Sequence, residues 1–103
     1  MNYLEYINSK IWRMDRDLEW QLSVWRFHDH RIVFTNGCFD ILHRGHIDYL
    51  AKAAAEGNLL IIGLNSDESV RRIKGEARPI TDERSRSMAL AAIGFVGAVV
   101  IFD

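Results

Sequence analysis

The apolar residues of the N-terminal part of the chain follow a helical period. Leu18 and Leu22 lie one turn apart, and Asp15 or Asp17 can cap the helix that this spacing predicts. Neighbouring positions are also apolar, so the apolar arc is broad and must pack against the rest of the domain or a second chain. We therefore predict a helical extension over residues 1–30, with packing or dimerisation as its role.

From residue 31 onward, short runs of apolar residues alternate with stretches of helical pattern. The runs do not alternate internally between apolar and polar, which is typical of parallel strands covered by helices on both faces. They cover residues 32–35, 59–64 and 98–102, and the predicted helices cover residues 45–56, 68–73 and 82–95, the last capped by Thr81. The alternation predicts an α/β domain over residues 31–103, a Rossmann-like parallel sheet with right-handed crossovers.

Three parallel strands are only half of a doubly wound fold. Because the third predicted strand stops just before Asp103, we expect this chain to hold the N-terminal half of the fold, with the C-terminal part missing. The first strand would then be an open apolar edge, which favours pairing or aggregation.

Composition narrows the classes of protein that the chain can belong to. Its 103 residues fit one domain, and a net charge of −1 argues against a dedicated nucleic-acid binder. The single cysteine, Cys38, fits a reducing compartment. No stretch has the roughly 18 apolar residues that a membrane span needs, and the first residues lack a secretion signal. We expect a cytoplasmic protein without membrane or nucleic-acid partners.

The residues that suggest chemistry follow the first strand, where ligands bind in open α/β sheets. This segment, Thr-Asn-Gly-Cys-Phe-Asp-Ile-Leu-His-Arg-Gly-His at residues 35–46, opens a helix whose first N–H groups attract phosphate. Gly37 lets the backbone approach a ligand closely. His43 and His46 are three residues apart, so both rings can face one anion and stabilise charge on a phosphoryl group.

The Gly-Cys-Phe-Asp run at residues 37–40, followed by His-x-Gly-His at 43–46, resembles the signature of the cytidylyltransferase-like superfamily. Further segments are similar to the adenylyltransferase part of ADP-heptose synthases: residues 65–67, 70–75 and 78–79. The resemblance covers residues 32–103, and Gly97 departs from it because relatives usually carry an acidic residue there.

The resemblance implies a transfer of AMP from ATP to a heptose 1-phosphate, releasing pyrophosphate and forming ADP-heptose for lipopolysaccharide core synthesis. Mg²⁺ is expected with ATP, and Asp40 would orient the loop or help recruit it. Catalytic roles are expected for His43, His46 and, on a mobile loop, Lys74. Contacts to nucleotide or phosphate are expected from Thr35, Asn36, Gly37, Cys38, Phe39, Asp40, Gly45 and Arg86, and contacts on the substrate side from Asn65 and Asp67.

Simpler structural interpretations of these residues also stay open. The two histidines can cap and pack a helix start, or ligate a metal together with His28 and His30. Asp40 can merely brace the turn. Other arginines of the following region can solvate one face, and one of them, Arg84, can do the work assigned to Arg86.

Other functions also stay open. One is a cytidylyltransferase acting on a small phosphorylated alcohol such as glycerol 3-phosphate, and another is a non-catalytic nucleotide-binding or assembly module. An aminoacyl-tRNA synthetase is opposed by the chain's length and charge. Expected partners are ATP and a sugar 1-phosphate, with a possible homodimer and a sugar kinase working alongside.

Overall fold

Four parallel strands form one sheet that helices cover on both faces. The computed structural model describes residues 2–103. In chain order the elements are α1 (Tyr3–Ser9), β1 (Ile11–Arg13), α2 (Arg16–Phe27), β2 (Ile32–Gly37), α3 (Arg44–Ala54), β3 (Leu59–Asn65), α4 (Asp67–Lys74), α5 (Glu83–Ala91) and β4 (Val96–Phe102). The strand order is β1-β4-β3-β2, and every neighbouring pair is parallel. The predicted Rossmann-like α/β fold is confirmed.

The N-terminal segment is not wholly helical, and the prediction of three strands is wrong. Strand β1 extends the sheet as a fourth strand, with Ile11 opposite Val99 and Arg13 opposite Ile101 of β4. It was missed because a strand of three residues between two helices carries too short an apolar run to show a period. The division into an extension and a domain at residue 31 stays a prediction.

Three of the helix starts follow from local capping. Asp15 caps α2 by accepting a hydrogen bond from the backbone N–H of Leu18, and Ser66 caps α4 in the same way. Asp82, rather than the predicted Thr81, caps α5. That helix also ends at Ala91, earlier than predicted, because residues 92–95 form the turn into β4.

The core lies in two layers, one on each face of the sheet. Successive residues of β3 point to opposite sides, so each strand contributes to both layers. The larger layer lies on the α3 and α5 side and includes Leu50, Ile62, Leu64, Leu90 and Val99. The smaller layer lies under α2 and consists of Leu18, Ile61, Ala98 and Val100. Full burial of each large side chain contributes about 1.5–3 kcal/mol.

Strand β2 forms one edge of the sheet, as the sequence predicts for the first strand of the domain. Its Phe34 is 61% exposed. No helix within residues 2–103 combines the length and apolar character needed to cross a bilayer.

Candidate active site

A cleft of about 480 Å³ opens at the carboxyl end of β2. Parallel α/β sheets bind ligands at this end of the strands. The turn that follows β2 forms one wall, and side chains from α3, the end of α4 and the loop after it form the other. The cleft is lined by residues 36–41, His46, Tyr49, Lys74 and Arg78.

His43 and His46 cap helix α3 with one nitrogen each. The Nδ1 of His43 accepts a hydrogen bond from the backbone N–H of Gly45 at 3.0 Å. The Nδ1 of His46 accepts one from the backbone N–H of His43 at 3.3 Å. Because both Nδ1 atoms act as acceptors, each neutral ring carries its proton on Nε2. The two Nε2–H groups therefore remain available as donors to a ligand.

The two rings lie against each other, with centroids 4.3 Å apart. Phe39 meets the His46 ring edge-on, with centroids 5.4 Å apart. Burial lowers the pKa of His46, and repulsion from His43 lowers it further. His46 is therefore a neutral donor near pH 7. It lines the cleft, and His43 lies beside it, exposed.

Two glycines make room for these rings. A Cβ on Gly45 would come within 2.7 Å of Cε1 of His43, so any side chain there would displace the capping ring. A Cβ on Gly37 would come within 2.9 Å of the Phe39 ring. Phe39 itself has a φ of 47°, a left-handed conformation that is rare for aromatic residues. Phe39 is only 9% exposed and belongs to the larger core layer, and such packing opposes the cost of this conformation.

Asp40 braces the loop that closes the cleft. Its carboxylate accepts hydrogen bonds from the backbone N–H groups of Ile80 and Thr81, at 2.9 Å for the shortest of each. Arg78 donates to it at 3.3 Å. The hydrogen bonds from Thr81 and Ile80 hold the pKa of Asp40 below its ordinary value. Of the two expected roles, the geometry supports orientation of the loop, because these donors occupy both carboxylate oxygens.

Arg86 does not line the cleft, so its expected contact with phosphate stays a prediction. Its side chain is 1% exposed, and each nitrogen donates to a protein acceptor. Nε donates to the carbonyl of Thr81, and Nη1 donates to the carbonyls of Cys38 and Asn65, at 2.8, 2.7 and 2.8 Å. Nη2 pairs with Asp67 at 2.8 Å. Arg86 therefore joins the ends of β2 and β3 and the loop before α5.

Lys74 ends helix α4, so it lies at a helix terminus and not within a loop as expected. It is exposed and lines the cleft together with Arg78, an arginine for which we expected only a solvating role. Gly75 follows with a φ of 102°, which suits glycine and ends the helix. The two cations give this wall a positive charge that complements a polyphosphate.

Tyr49 was missed by the sequence interpretation. It lines the cleft, and its hydroxyl shares a hydrogen bond with the hydroxyl of Thr35. Thr35 itself is buried and does not line the cleft, so its expected contact with nucleotide stays a prediction. Its spacing in the sequence could have indicated this position, since Tyr49 follows His46 by three residues and lies on the same helical face.

Asn65 and Asp67 lie at the end of β3, beside the turn. The Sγ of Cys38 donates to Oδ1 of Asn65 across 3.8 Å, so these two strand ends also meet through side chains. Asp67 is held by Arg86. Neither Asn65 nor Asp67 lines the cleft, so a contact with substrate stays a prediction. Within residues 2–103, no three His, Cys, Asp or Glu side chains converge to hold a metal ion.

The fold and this cleft define a Rossmann-like α/β domain, with hydrogen-bond donors placed at a helix start beside the carboxyl ends of parallel strands. Residues 34–103 match the cytidylyltransferase-like family. The match covers more than half of the chain, which therefore belongs to this family.

Named relatives agree with this assignment. The bifunctional protein HldE of Campylobacter concisus is 62% identical over 73 residues, which are 71% of this chain and 16% of that protein. HldE of Nitrobacter hamburgensis is 55% identical over 95 residues, 92% of this chain and 19% of the relative. This chain thus spans less than a fifth of either relative.

A solved structure is also similar to this chain in fold and sequence. The lipopolysaccharide core biosynthesis protein from Thermoplasma volcanium aligns with a TM-score of 0.64 and 34% identity, covering 72% of this chain and 59% of that protein.

Proposed function

We propose that this chain binds ATP in the cleft at the end of β2 and transfers AMP to a heptose 1-phosphate, forming ADP-heptose for the lipopolysaccharide core. The observation that carries the proposal is the histidine pair, whose Nδ1 atoms are engaged by backbone N–H groups and whose Nε2–H groups are free. Family membership supports the reaction class. The resemblance of residues 65–67, 70–75 and 78–79 to ADP-heptose synthases and the similarity to a lipopolysaccharide core biosynthesis protein support the sugar.

In the proposed reaction an oxygen of the sugar 1-phosphate attacks the α-phosphorus of ATP in line. The new P–O bond forms as the bond between the α-phosphorus and the bridging oxygen breaks, and pyrophosphate leaves with the bonding electron pair. His46 and His43 donate from Nε2 to oxygens of the crowded phosphate, where negative charge develops. Lys74 binds the departing pyrophosphate or the incoming sugar phosphate. The backbone of the turn around Cys38 and Phe39 holds phosphate oxygens.

Magnesium fits this cleft only as part of the substrate. Among residues 2–103, Asp40 is the one carboxylate that lines the cleft, and its oxygens already accept hydrogen bonds from the loop and from Arg78. We therefore propose that Mg²⁺ arrives on the triphosphate, without a carboxylate ligand from residues 2–103. Because the relatives are named bifunctional, we also propose that a second activity, a sugar kinase, accompanies this one.

Calorimetric titration with ATP and with CTP, each with Mg²⁺, tests the proposal. We expect ATP to bind more tightly than CTP. His46→Ala should weaken ATP binding about tenfold or more, because a hydrogen bond to a charged group contributes about 1.5–3 kcal/mol. His30→Ala, an exposed histidine far from the cleft, is the control.

Release of pyrophosphate should then depend on heptose 1-phosphate and not on glycerol 3-phosphate. Preference for CTP and glycerol 3-phosphate would instead identify the alternative cytidylyltransferase. Binding of neither nucleotide would contradict both functions for this chain.

A further inference from the structure

Helix α5 is held at both ends by two basic residues of one short N-terminal segment, Lys10 and Arg13, which we call the N-terminal clamp. Lys10 is buried, at 7% exposure. Its Nζ donates to the carbonyl oxygens of Ala91 at 3.1 Å and Ile93 at 3.5 Å, at the carboxyl end of α5. A cation is favourable there because the free carbonyl groups make that helix end negative.

The other end of α5 meets Arg13. An Nη2–Oε2 distance of 2.8 Å joins Arg13 to Glu83, the first residue of the helix. The second oxygen of Glu83 accepts the backbone N–H of Asp67 at 3.0 Å, at the start of α4. The Asp67 hydrogen bond and then the Arg13 contact hold the pKa of Glu83 below its ordinary value. One carboxylate thus joins β1 to two helices.

The clamp is somewhat shorter than the helix that it holds, and the long side chains of lysine and arginine reach over the difference. The distance from Lys10 to Arg13 along an extended strand is about 10 Å, and nine helical residues extend about 13 Å. The clamp is itself fixed to the sheet, because the carbonyl of Lys10 accepts the N–H of Val99 at 2.8 Å and β1 pairs with β4. It therefore sets the position of α5 relative to the strands.

Helix α5 in turn carries Arg86, which holds the carbonyls of Cys38 and Asn65 beside the cleft. We propose that the N-terminal clamp is a positioning element of the nucleotide site, although it lies outside residues 34–103 that match the family. Through Glu83 and α5 it fixes the turn after β2 against the end of β3. This proposal rests on the proposed function only for the identity of the ligand. The structural link from the clamp through α5 to the turn after β2 does not depend on it.

Lys10→Met tests the buried end of the clamp, because it keeps the aliphatic stem and removes the ammonium. We expect ATP with Mg²⁺ to bind about 3- to 30-fold more weakly, the range that substitutions outside a binding site commonly give. The backbone amide NMR signals of Cys38 and Asn65 should shift. Lys52→Met, an exposed lysine paired with Asp48 on α3, should change neither. A lower Tm with unchanged affinity and unchanged signals would overturn the proposal.

Arg13→Gln tests the exposed end, and its surface position keeps the fold intact. We expect the amide signals of Asp67 and Cys38 to shift, and Arg13→Lys to restore them in part. The control is Arg72→Gln, which breaks a comparable surface pair with Glu68. Unchanged signals in Arg13→Gln would overturn the link through Glu83.

The affinity and the NMR signals together distinguish failure of the clamp proposal from failure of the proposed function. If the unmodified chain binds neither ATP nor CTP, the proposed function fails, yet the amide signals of Cys38 and Asn65 still decide the clamp. Shifts in Lys10→Met but not in Lys52→Met would support it, and their absence would overturn it.

Discussion

Each histidine of the cleft uses one nitrogen for structure and leaves the other for a ligand. In His46 the Nδ1 atom accepts the N–H of His43, which requires that atom to be unprotonated. Protonation of the ring would break this hydrogen bond and place a positive charge in a partly buried site beside the His43 ring. The same environment that keeps His46 neutral therefore links its charge to the stability of helix α3.

The lowered pKa of His46 predicts how stability depends on pH. Because the folded pKa lies below the ordinary value of 6.5, the unfolded chain binds more protons between the two values. The stabilisation is fully present above pH 6.5 and is lost as pH falls through the folded pKa. Glutamine at position 46 keeps an acceptor for the cap but does not titrate. We expect His46→Gln to lose less free energy of unfolding than the unmodified chain between pH 7 and pH 5.

Urea unfolding measured across this range checks the prediction, with His30→Gln as the control. The pKa values of Asp40, Asp82 and Glu83 are also lowered, but from ordinary values of 3.8, 3.8 and 4.5, so the stability that these carboxylates contribute is lost at lower pH. If His46→Gln and His30→Gln show the same dependence on pH, the link between the His46 charge and the cap is wrong.

At the residue scale, local spacing in the sequence predicts which side chains share a face, but it does not predict hydrogen-bond partners that are distant in the chain. The i, i+3 spacing predicts that the two histidine rings share one face, and they lie 4.3 Å apart. The acceptors of Arg86 at Cys38 and Asn65 lie 48 and 21 residues away, and the sequence does not predict them. No periodicity in the sequence marks such contacts, because they depend on which strand ends the topology brings together.

At the scale of elements, strand β4 shows why a residue can be fixed by its neighbour. Gly97 lies in β4, next to β3 in the sheet. A Cβ there would lie 2.3 Å from Cδ1 of Leu59 and 3.1 Å from the carbonyl oxygen of Leu60. The side chain of Leu59 therefore occupies the space that a larger residue at position 97 needs.

Gly97→Ala should consequently lower the free energy of unfolding by about 1–3 kcal/mol, the usual cost of overpacking. Gly94→Ala, three residues earlier, is the matched control because a Cβ there meets nothing within 4 Å. It should be neutral or stabilise by up to about 1 kcal/mol through the unfolded chain. Urea unfolding of both variants measures the difference, and equal stabilities would show that Leu59 moves aside freely.

Element prediction succeeded where the apolar runs were long and failed where they were short. Strands β2, β3 and β4 have six or seven residues each and were all predicted within two residues at either end. Strand β1 has three residues and gains its stability from pairing with β4. A pairing partner some 90 residues distant leaves no local pattern, so only the fold reveals it.

At the scale of the whole molecule, the sheet has two unlike edges. Strand β1 ends one side with only three residues, whereas β2 ends the other with six. The longer edge presents unpaired backbone groups, and Phe34 adds an exposed apolar ring that lies over Gly63. Parallel sheets usually bury such strands on both faces, and exposed apolar edges favour association.

We therefore expect the chain to self-associate as its concentration rises, and Phe34→Lys to reduce this association. A lysine at an edge opposes pairing by its charge and hydration. The free energy of unfolding should change by less than about 1 kcal/mol, because Phe34 is 61% exposed and little burial is lost. Sedimentation velocity over a concentration series measures the effect.

Tyr3→Lys, on a residue 87% exposed in α1 and away from this edge, is the control. Equal reduction by both variants would assign the association to general surface hydrophobicity, and a monomeric unmodified chain at every concentration would contradict the prediction. A reduction specific to Phe34→Lys would identify the β2 edge, beside the cleft, as the surface through which this domain meets other chains.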